Sequence, residues 1–445
     1  MNLTCISTFV LGLGLLVSCR APAGVTKAEV ASQLQSITGA SPNPVGAPGA
    51  WSLPTTVQAG DGISADEAVS IALWNNAQFQ VDLAAIPLAQ ADLTEAAMVP
   101  NPLLRYLAPT GAVAASGYIN FAFDFLFQRQ RRIAAARVEG VRSRELAVQR
   151  GYGLIRDVQV AYTEALFARE RFAIMDELHQ LRAQMAQLAA SRLRNGDISE
   201  LEVSTVRADS AIAADDRLRA ALDTMLRRNS LNILLGLRPD TVLVLQPAAF
   251  PDSAATVPTA YLDLAFSYQP ELRAAQLAIE SAGKRLGWER SRILAFTATL
   301  NFQHLPDKGG SAWTPNTFNP GVQLELPLFS RNQGRIARAR AELEAASYQY
   351  IALRQRVALE AANTFDRYRQ AWSSYRIWSQ ETLPRLEEAV RLSQSAYRNG
   401  DISYLPVLEA QRQLQQARLR RAELQAEIGR SLGNINYAIG NQWTK

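Results

Sequence analysis

The sequence predicts a mainly α-helical protein with a smaller β portion, built from two repeated halves that each run helix, β-hairpin, long helix, helix. One observation behind this is that the run Asn-Gly-Asp-Ile-Ser occurs twice, at residues 195–199 and 399–403. A second is that stretches between the helical segments alternate apolar and polar residues with period two, as half-buried strands do. We therefore expect a first repeat over residues 63–240 and a second over residues 256–445.

Two alignments support the duplication. The repeated runs lie in segments 191–236 and 395–440, which align without a gap at an offset of 204 residues and both end on glycine. An earlier helical segment around Ala72 aligns with the segment around Ala265 at an offset of 193. About ten residues are therefore inserted in the second half, and the long polar turn of its hairpin accommodates them.

The N-terminus predicts a processed, lipid-anchored chain. Residues 9–17 are apolar but too few to cross a bilayer, which needs about 20 residues, so residues 1–18 are predicted to be a signal peptide. Leu16 lies three residues before Cys19, and a small residue directly precedes that cysteine, as in a bacterial lipobox. The alternative is a plain signal peptide with a chance cysteine, because no Lys or Arg precedes the apolar run.

Residues 19–62 are rich in proline, glycine and small residues, which predicts an extended linker between the lipid and the folded body. Removal of the signal peptide leaves Cys19 as the one cysteine of the mature chain. Neither a disulfide nor a cysteine metal site is therefore expected.

Two β-hairpins are predicted, at about residues 103–126 and 297–328. In the first, the strand over residues 118–125 alternates clearly, whereas the strand over residues 103–113 is less regular. Both strands of the second hairpin alternate in the same way. The polar positions of these strands are expected to share one face, and they are Asn120, Asp124, Asn301, Gln303, Gln323 and Glu325.

Long helices follow the hairpins. No proline occurs between Pro109 and Pro239, so residues 131–194 are predicted to form one helix about 95 Å long. Pro384 interrupts the corresponding helix of the second half, where we expect a bend. The last helix of each half carries apolar residues at coiled-coil spacing, namely Leu218, Leu222, Met225, Leu424, Ile428, Leu432, Ile435 and Ile439.

Four strands with one apolar face cannot close a barrel alone, and an open sheet edge is not tolerated in lipid. Strands of about eight to ten residues match a tilted crossing of the bilayer. Two copies would give a filled eight-stranded barrel, whereas three copies would give twelve strands and a lumen. The pattern therefore predicts a homotrimer whose 12-stranded β-barrel is lined by the polar face.

Two segments accompany the repeated turns, Leu-Glu-Val-Ser-Thr-Val-Arg at residues 201–207 and Leu-Pro-Val-Leu-Glu-Ala-Gln-Arg at residues 405–412. Together with Asn-Pro at residues 101–102 and the Leu-Pro-Leu-Phe that ends at Phe329, they make the chain resemble the TolC-like outer-membrane efflux proteins, in the lipoprotein branch of that family. The resemblance covers almost the whole mature sequence.

The resemblance implies a trimeric channel-tunnel, with its barrel in the outer membrane and a long α-helical coiled-coil barrel in the periplasm. The implied function is a passive outer-membrane channel for efflux or export, with outer-membrane lipid, a periplasmic adaptor and an inner-membrane pump as partners and no cofactor. The repeated turns become hairpin tips at the periplasmic mouth. The residues expected to dock the adaptor are Asn195, Gly196, Asp197, Ile198, Ser199, Asn399, Gly400, Asp401, Ile402 and Ser403.

The resemblance also implies a periplasmic gate just past the tips. Tyr397 lies where the family often carries a gating tyrosine, and Glu202 and Glu409 lie where it often carries acidic rings. Ile402 and Pro406 depart from the pattern, because a gate-linking arginine and a second acid are common at these positions. The simpler alternatives are that the glutamates are ordinary first-turn helix acids and that the tip glycines only allow a positive φ.

Other functional classes fit the sequence less well. The chain has two histidines, His179 and His304, and carries no phosphate-binding loop or metal-ligand cluster, so neither an enzyme nor a metal site is expected. Its net charge of +5 comes from arginines interleaved with glutamates, which argues against nucleic-acid binding. A periplasmic coiled-coil adaptor or a structural lipoprotein is the alternative, although neither would carry two amphipathic hairpins between helices.

The lipobox makes a direct prediction. Cells that express the Cys19→Ala variant should incorporate no radioactive palmitate into this protein, because the acylated thiol is gone, whereas the unaltered chain should be labelled. Retained labelling of the variant would show that the cysteine is not the site of lipidation.

Overall fold

The computed structural model describes residues 23–39, 42, 51–54, 57, 62–108, 115–123, 125–247, 261–292, 295–304 and 317–440. The signal peptide, Cys19 and Asp124 lie outside the described residues. In chain order the elements are α1 (Lys27–Thr38), α2 (Ala65–Asn75), α3 (Ala77–Ala97), β1 (Leu103–Leu107), β2 (Ala115–Ala122), α4 (Phe125–Arg194), α5 (Glu200–Leu234), α6 (Tyr261–Tyr268), α7 (Pro270–Ser291), β3 (Ala295–His304), β4 (Thr317–Glu325), α8 (Gln333–Ile377), α9 (Leu383–Asn399) and α10 (Tyr404–Ile439).

The chain divides into two compact units, and each unit draws on both repeats. The first unit is Met1–Lys27, Ala84–Ala147 and Glu271–Arg354, and it contains both hairpins. The second unit is Ala28–Leu83, Val148–Pro270 and Gln355–Lys445, and it contains both repeated turns. The duplicated halves therefore do not fold as separate domains. In the described part of the chain, no helix has the length and apolar content needed to cross a membrane.

In the first unit the strands form one antiparallel sheet in the order β1-β2-β3-β4, so β1 and β4 are its edges. Asn120 pairs with Thr299, whereas the neighbouring Ile119 pairs with Leu300, so polar and apolar positions lie on opposite faces. The register confirms the predicted polar face for Asn120, Asn301, Gln303, Gln323 and Glu325.

The second strand has the predicted length but lies three residues earlier than predicted. β2 ends at Ala122, and the prediction that Phe125 belongs to the strand is wrong, because α4 begins there. The N–H of Phe123 still donates to the carbonyl oxygen of Phe296 at 2.8 Å, but the chain enters α4 two residues later, where Arg129 bonds the end of α3.

Polar side chains tie the helix ends to one another where they adjoin the sheet. Arg129 near the start of α4 donates to the carbonyl oxygen of Ala97 at the end of α3, at 2.8 Å. In the second repeat, the amide of Asn332 donates to the carbonyl oxygen of Glu289 at 2.7 Å and to its carboxylate at 2.9 Å. Each hairpin is therefore closed at its base by a bond between the two helices that flank it.

The prediction of an extended linker over residues 19–62 is wrong for its central part, which forms α1. Val30 and Leu34 lie one helical turn apart and are fully buried in the second unit. Leu34 packs against Gly151 of α4, where a Cβ would come within 2.8 Å of the Leu34 side chain. This short apolar stripe decides the conformation despite the surrounding proline and glycine content.

In each repeat, the C-terminus of the last helix packs against the break between the first two helices. Gly236 follows α5 and Gly440 follows α10, with φ of +69° and +73°. A Cβ on Gly236 would lie 2.5 Å from the carbonyl oxygen of Asn75, and a Cβ on Gly440 would lie 2.7 Å from that of Tyr268. Glycine is therefore needed here for close approach as well as for its positive φ.

The expected bend at Pro384 is a local change of helix type. A π-helical turn, Trp378–Thr382, separates α8 from α9, and Pro384 lies in the first turn of α9. Proline has no N–H to donate to the carbonyl group one turn earlier, so the regular α-helical ladder cannot continue through it.

The contacts around three glycines predict how strongly a Gly→Ala substitution at each position destabilises the protein. Gly236→Ala and Gly440→Ala should destabilise the protein more than Gly196→Ala, although all three residues have a similar positive φ and share a backbone penalty of about 1 kcal/mol. A Cβ at Gly196 would meet nothing within 4 Å, whereas at the other two positions it would clash with a carbonyl oxygen. The clash should cost about 1–3 kcal/mol more. Thermal unfolding measures the difference, and equal losses for all three variants would contradict it.

Candidate gate and docking site at the hairpin tips

Both hairpin tips use the repeated residues in the same way. Gly196 and Gly400 have φ of +79° and +89°. The N–H groups of Asp197 and Asp401 each donate to the carbonyl oxygen five residues earlier, at 2.9 Å in both tips. This is the Schellman ending of a helix, which requires a left-handed residue just after the helix. Both tip glycines therefore have a structural role whether or not a partner docks there.

The two tips differ at the start of the next helix. Ser199 caps α5, since its hydroxyl accepts the N–H of Glu202 at 3.2 Å. Ser403 occupies the same position before α10, but its side chain makes no capping bond. Pro406 stands at the third position of α10, where the capped N–H would be, and proline has none. The second tip therefore lacks a cap of its own.

Charged side chains of the first hairpin satisfy both helix ends at the second tip. A carboxylate oxygen of Glu202 accepts the N–H of Tyr404, the first residue of α10, at 3.2 Å. The guanidinium of Arg192 donates to the carbonyl oxygen of Tyr397, in the last turn of α9, at 3.3 Å. An anion at a helix N-terminus and a cation at a helix C-terminus both interact favourably with the helix dipole. We call these four residues the tip clamp.

Tyr397 is fully buried within the tip clamp. Its ring centroid lies 5.9 Å from that of Tyr404 in an edge-to-face arrangement, and the Arg192 guanidinium carbon lies 5.0 Å from the Tyr397 ring centroid. Burial raises the pKa of the Tyr397 hydroxyl, the Glu202 carboxylate adds to the rise, and Arg192 opposes it. The hydroxyl therefore stays protonated at neutral pH.

The structure brings together two of the three predicted gate residues. Tyr397 and Glu202 belong to the tip clamp, and Glu202 is half-buried. Glu409 lies exposed on α10, where its carboxylate accepts a bond from Gln413 at 2.9 Å. The two glutamates therefore have different surroundings, although the sequence resemblance treated them alike.

Most of the predicted docking residues are exposed. Ile198 and Ile402 are half-buried and pack on an apolar cluster below the tips. Among the described residues, the side chains of Asp197 and Asp401 meet no hydrogen-bond or ion-pair partner. The exposed tip residues are Asn195, Gly196, Asp197, Ser199, Asn399, Gly400, Asp401 and Ser403. The apolar cluster consists of Met185, Ala189, Val203, Val206, Tyr397, Tyr404, Val407 and Leu408.

A buried polar group beneath the cluster was missed by the sequence reasoning. Arg182 and Asp209 are 4% and 5% exposed, and Arg182 donates to the backbone oxygen of Asp209 at 3.4 Å. Arg412 approaches the Asp209 carboxylate at 3.8 Å. Burial, followed by the Asp209 charge, raises the pKa of Tyr404 to about 12. The available signal was that both Arg182 and Asp209 occupy positions in otherwise apolar helical stripes.

Within the described ranges, no three His, Cys, Asp or Glu side chains are grouped closely enough to hold a metal ion. The arrangement can hold two helical hairpins together and present acidic side chains to a partner.

Comparisons with known proteins agree with this architecture. The family model described as "Outer membrane efflux protein" matches residues 261–441. The cobalt-zinc-cadmium resistance protein CzcC of Cupriavidus metallidurans is 26% identical over 388 residues, which cover 85% of this chain and 90% of CzcC.

Two solved structures have the same fold. CusC matches with a TM-score of 0.73 at 17% identity, over 90% of this chain and 99% of its own. The outer membrane protein VceC of Vibrio cholerae matches with a TM-score of 0.70 at 18% identity, over 85% of this chain and 96% of its own.

Residues 261–441 of this chain match the outer-membrane efflux protein family, and the chain is similar to CzcC over most of its length. Its fold is that of the family's TolC-like channel-tunnels, mostly helical with a small sheet. The family match lies wholly in the second half, but CzcC aligns over most of both halves. The alternative of a periplasmic adaptor is therefore not supported. The similar proteins are channels rather than enzymes.

The tip clamp makes a prediction that separates the two glutamates. Glu202→Gln should speed hydrogen exchange at the start of α10 about fivefold, because a charge-assisted bond to the Tyr404 amide becomes a neutral one, a loss of roughly 1 kcal/mol. Glu409→Gln is the matched control, since it removes an exposed carboxylate of α10. Among the described residues, that carboxylate accepts its hydrogen bond from Gln413. Exchange mass spectrometry of peptides covering residues 400–408 measures the effect. The clamp is refuted by equal exchange in both variants.

Proposed function

We propose that this chain forms the outer-membrane channel of a tripartite efflux system, as a homotrimeric passive conduit that meets a periplasmic adaptor and an inner-membrane pump. Two features of the described residues carry the proposal: the sheet has two open edges, and the first repeat has a coiled-coil stripe that stays exposed. Both features require other copies of the chain.

The sheet supports a trimer through its edges. Among the described strands, β1 and β4 each pair with a single neighbour, and the apolar face bears exposed side chains such as Val322 and Phe318. Pairing β4 of one copy with β1 of the next closes the sheet and removes every edge. Three copies give twelve strands, with Asn120, Asn301 and Glu325 on the lumen side.

The difference between the two repeats supports the same assembly. Ala422, Ala426 and Gly429 of α10 are small and lie inside the chain, and a Cβ on Gly429 would meet Thr163 of α4 at 3.0 Å. The equivalent residues of α5, which are 204 positions earlier, are Leu218, Leu222 and Met225, each more than half exposed. The second repeat therefore packs closely within its own chain, whereas the first presents large apolar residues to another copy.

Exposed apolar residues on α8 and α9 offer the complementary surface. Leu359, Ile377 and Leu392 are 62%, 51% and 54% exposed. We infer that α5 of one copy packs against α8 and α9 of the next, a head-to-tail contact that closes into a ring.

The hairpin tips are proposed to dock the adaptor. Asp197 and Asp401 present exposed carboxylates, so a trimer would display six of them at its mouth. Leu201 and Leu405, at equivalent positions of the two repeats, are 78% and 68% exposed. Acidic side chains beside an apolar anchor suit a partner that offers a basic rim and an apolar pocket.

The tip clamp is proposed to hold the channel closed. Release of Arg192 and Glu202 would free both helix ends of the second tip, so that the second hairpin can move away from the first. Glu409 is proposed to form an acidic ring in the trimer that favours cations in the lumen. The chain is further proposed to be anchored by lipid at Cys19. The name of CzcC makes divalent metal cations the first cargo to test.

The trimer proposal predicts the effect of the exposed leucines. Leu218→Gln with Leu222→Gln should convert the heat-modifiable outer-membrane trimer to monomers, because each buried leucine contributes about 1.5–3 kcal/mol to an apolar interface. Arg219→Gln is the matched control, since it changes an exposed residue of the same helix next to the stripe.

Cell fractionation and gel electrophoresis without heating measure both outcomes. A stable trimer of the double-leucine variant would remove the assigned interface. A wild-type chain found as a soluble monomer would refute the channel itself.

A further inference from the structure

Three of the four helix ends that adjoin the sheet are strongly basic. The register places the start of β1, the end of β2, the start of β3 and the end of β4 at the same end of the sheet. Residues 125–137 of α4 carry four arginines and no acid, and so do residues 331–340 at the start of α8. Residues 284–292 of α7 carry four bases against Glu289. The fourth end, that of α3, is acidic through Asp92 and Glu95.

Contacts between the helices bring these basic residues into one surface of the first unit. Arg131 of α4 donates to the carbonyl oxygen of Gly287 in α7 at 2.9 Å. Arg285 of α7 lies 3.6 Å from the carboxylate of Glu342 in α8. The exposed members of this surface, here named the basic belt, are Arg131, Arg137, Lys284, Arg285, Arg290, Arg331, Arg335, Arg338 and Arg340.

Few acidic side chains of the described residues neutralise the positive charges of the basic belt. Among the described residues, its ion pairs are those of Arg285 and Arg338, which share the Glu342 carboxylate at 3.6 and 2.9 Å. Elsewhere in the described helices, exposed arginines often pair with an acid three or four residues away, as Arg391 does with Glu388. The belt therefore differs from an ordinary solvated helix face, where charges of both signs alternate.

An exposed apolar segment lies next to the belt. Leu326, Leu328 and Phe329 follow β4 and are 63%, 67% and 94% exposed. Arg331 comes two residues after Phe329. Large apolar side chains that border directly on arginines are typical of a membrane interface, where the rings enter the acyl region and the cations meet the headgroups.

We propose that the basic belt binds anionic phospholipid headgroups of the periplasmic leaflet. This inference rests on the proposed function, because it needs the sheet to lie in the outer membrane. The arginine guanidinium offers a planar pair of donors that matches phosphate oxygens. The apolar segment around Phe329 would contact the acyl chains of the same lipids, so the belt fixes the depth of the channel in the membrane.

The test uses the full-length trimer in nanodiscs with equal amounts of phosphatidylglycerol and phosphatidylcholine, followed by native mass spectrometry of the lipids it retains. The unaltered protein should retain phosphatidylglycerol at least about fivefold over phosphatidylcholine. The variant Arg331→Gln, Arg335→Gln, Arg340→Gln should lose this preference. The matching Arg→Lys variant should keep most of it, because the charge remains.

The control variant is Arg207→Gln, Arg376→Gln, Arg385→Gln, which removes three exposed arginines from the second unit and should retain the preference. An unaltered trimer without lipid preference overturns the inference, and so does a preference that belt and control variants keep equally. Planar-bilayer conductance of the same preparation separates the two proposals. A conducting trimer without lipid preference overturns the belt alone, whereas a preparation that forms no channel overturns the proposed function.

Discussion

The second hairpin tip depends on the first for the polar groups at its two helix ends. Pro406 removes the N–H that Ser403 would cap, so Glu202 of the other repeat accepts the N–H of Tyr404 instead. Arg192 serves the opposite helix end in the same way. Because helix ends leave backbone groups unsatisfied, this exchange couples the two hairpins where a channel of this family is expected to be gated.

Equivalent residues of the two repeats differ in size and in burial. At equivalent positions, one repeat has small buried residues and the other has large exposed ones, as Ala422 and Leu218 illustrate. The same asymmetry recurs at the tips, where Glu202 corresponds to Pro406. One repeat thus supplies contacts within the chain, and the other is proposed to supply the contacts to neighbouring copies.

Much of the fold was predictable because it rests on local patterns. Period-two alternation located the hairpins, and the absence of proline predicted the long helix. The helix α1 was missed, because its stripe of Val30 and Leu34 is short and lies among prolines and glycines. The buried pair Arg182 and Asp209 was missed. The different surroundings of Glu202 and Glu409 were also not predicted. Both features depend on which helices pack against one another, and a single sequence does not show that.

Arg192 and Glu202 are proposed to hold the second tip by bonding its two helix ends, and not by attracting each other as an ion pair. The most direct measurement is the single-channel conductance in planar bilayers of the exchange variant Arg192→Glu, Glu202→Arg. This variant keeps both charges but places each at the wrong end of a helix dipole. Its conductance should lie well above that of the unaltered channel in its closed state. A conductance unchanged from the closed channel would contradict it.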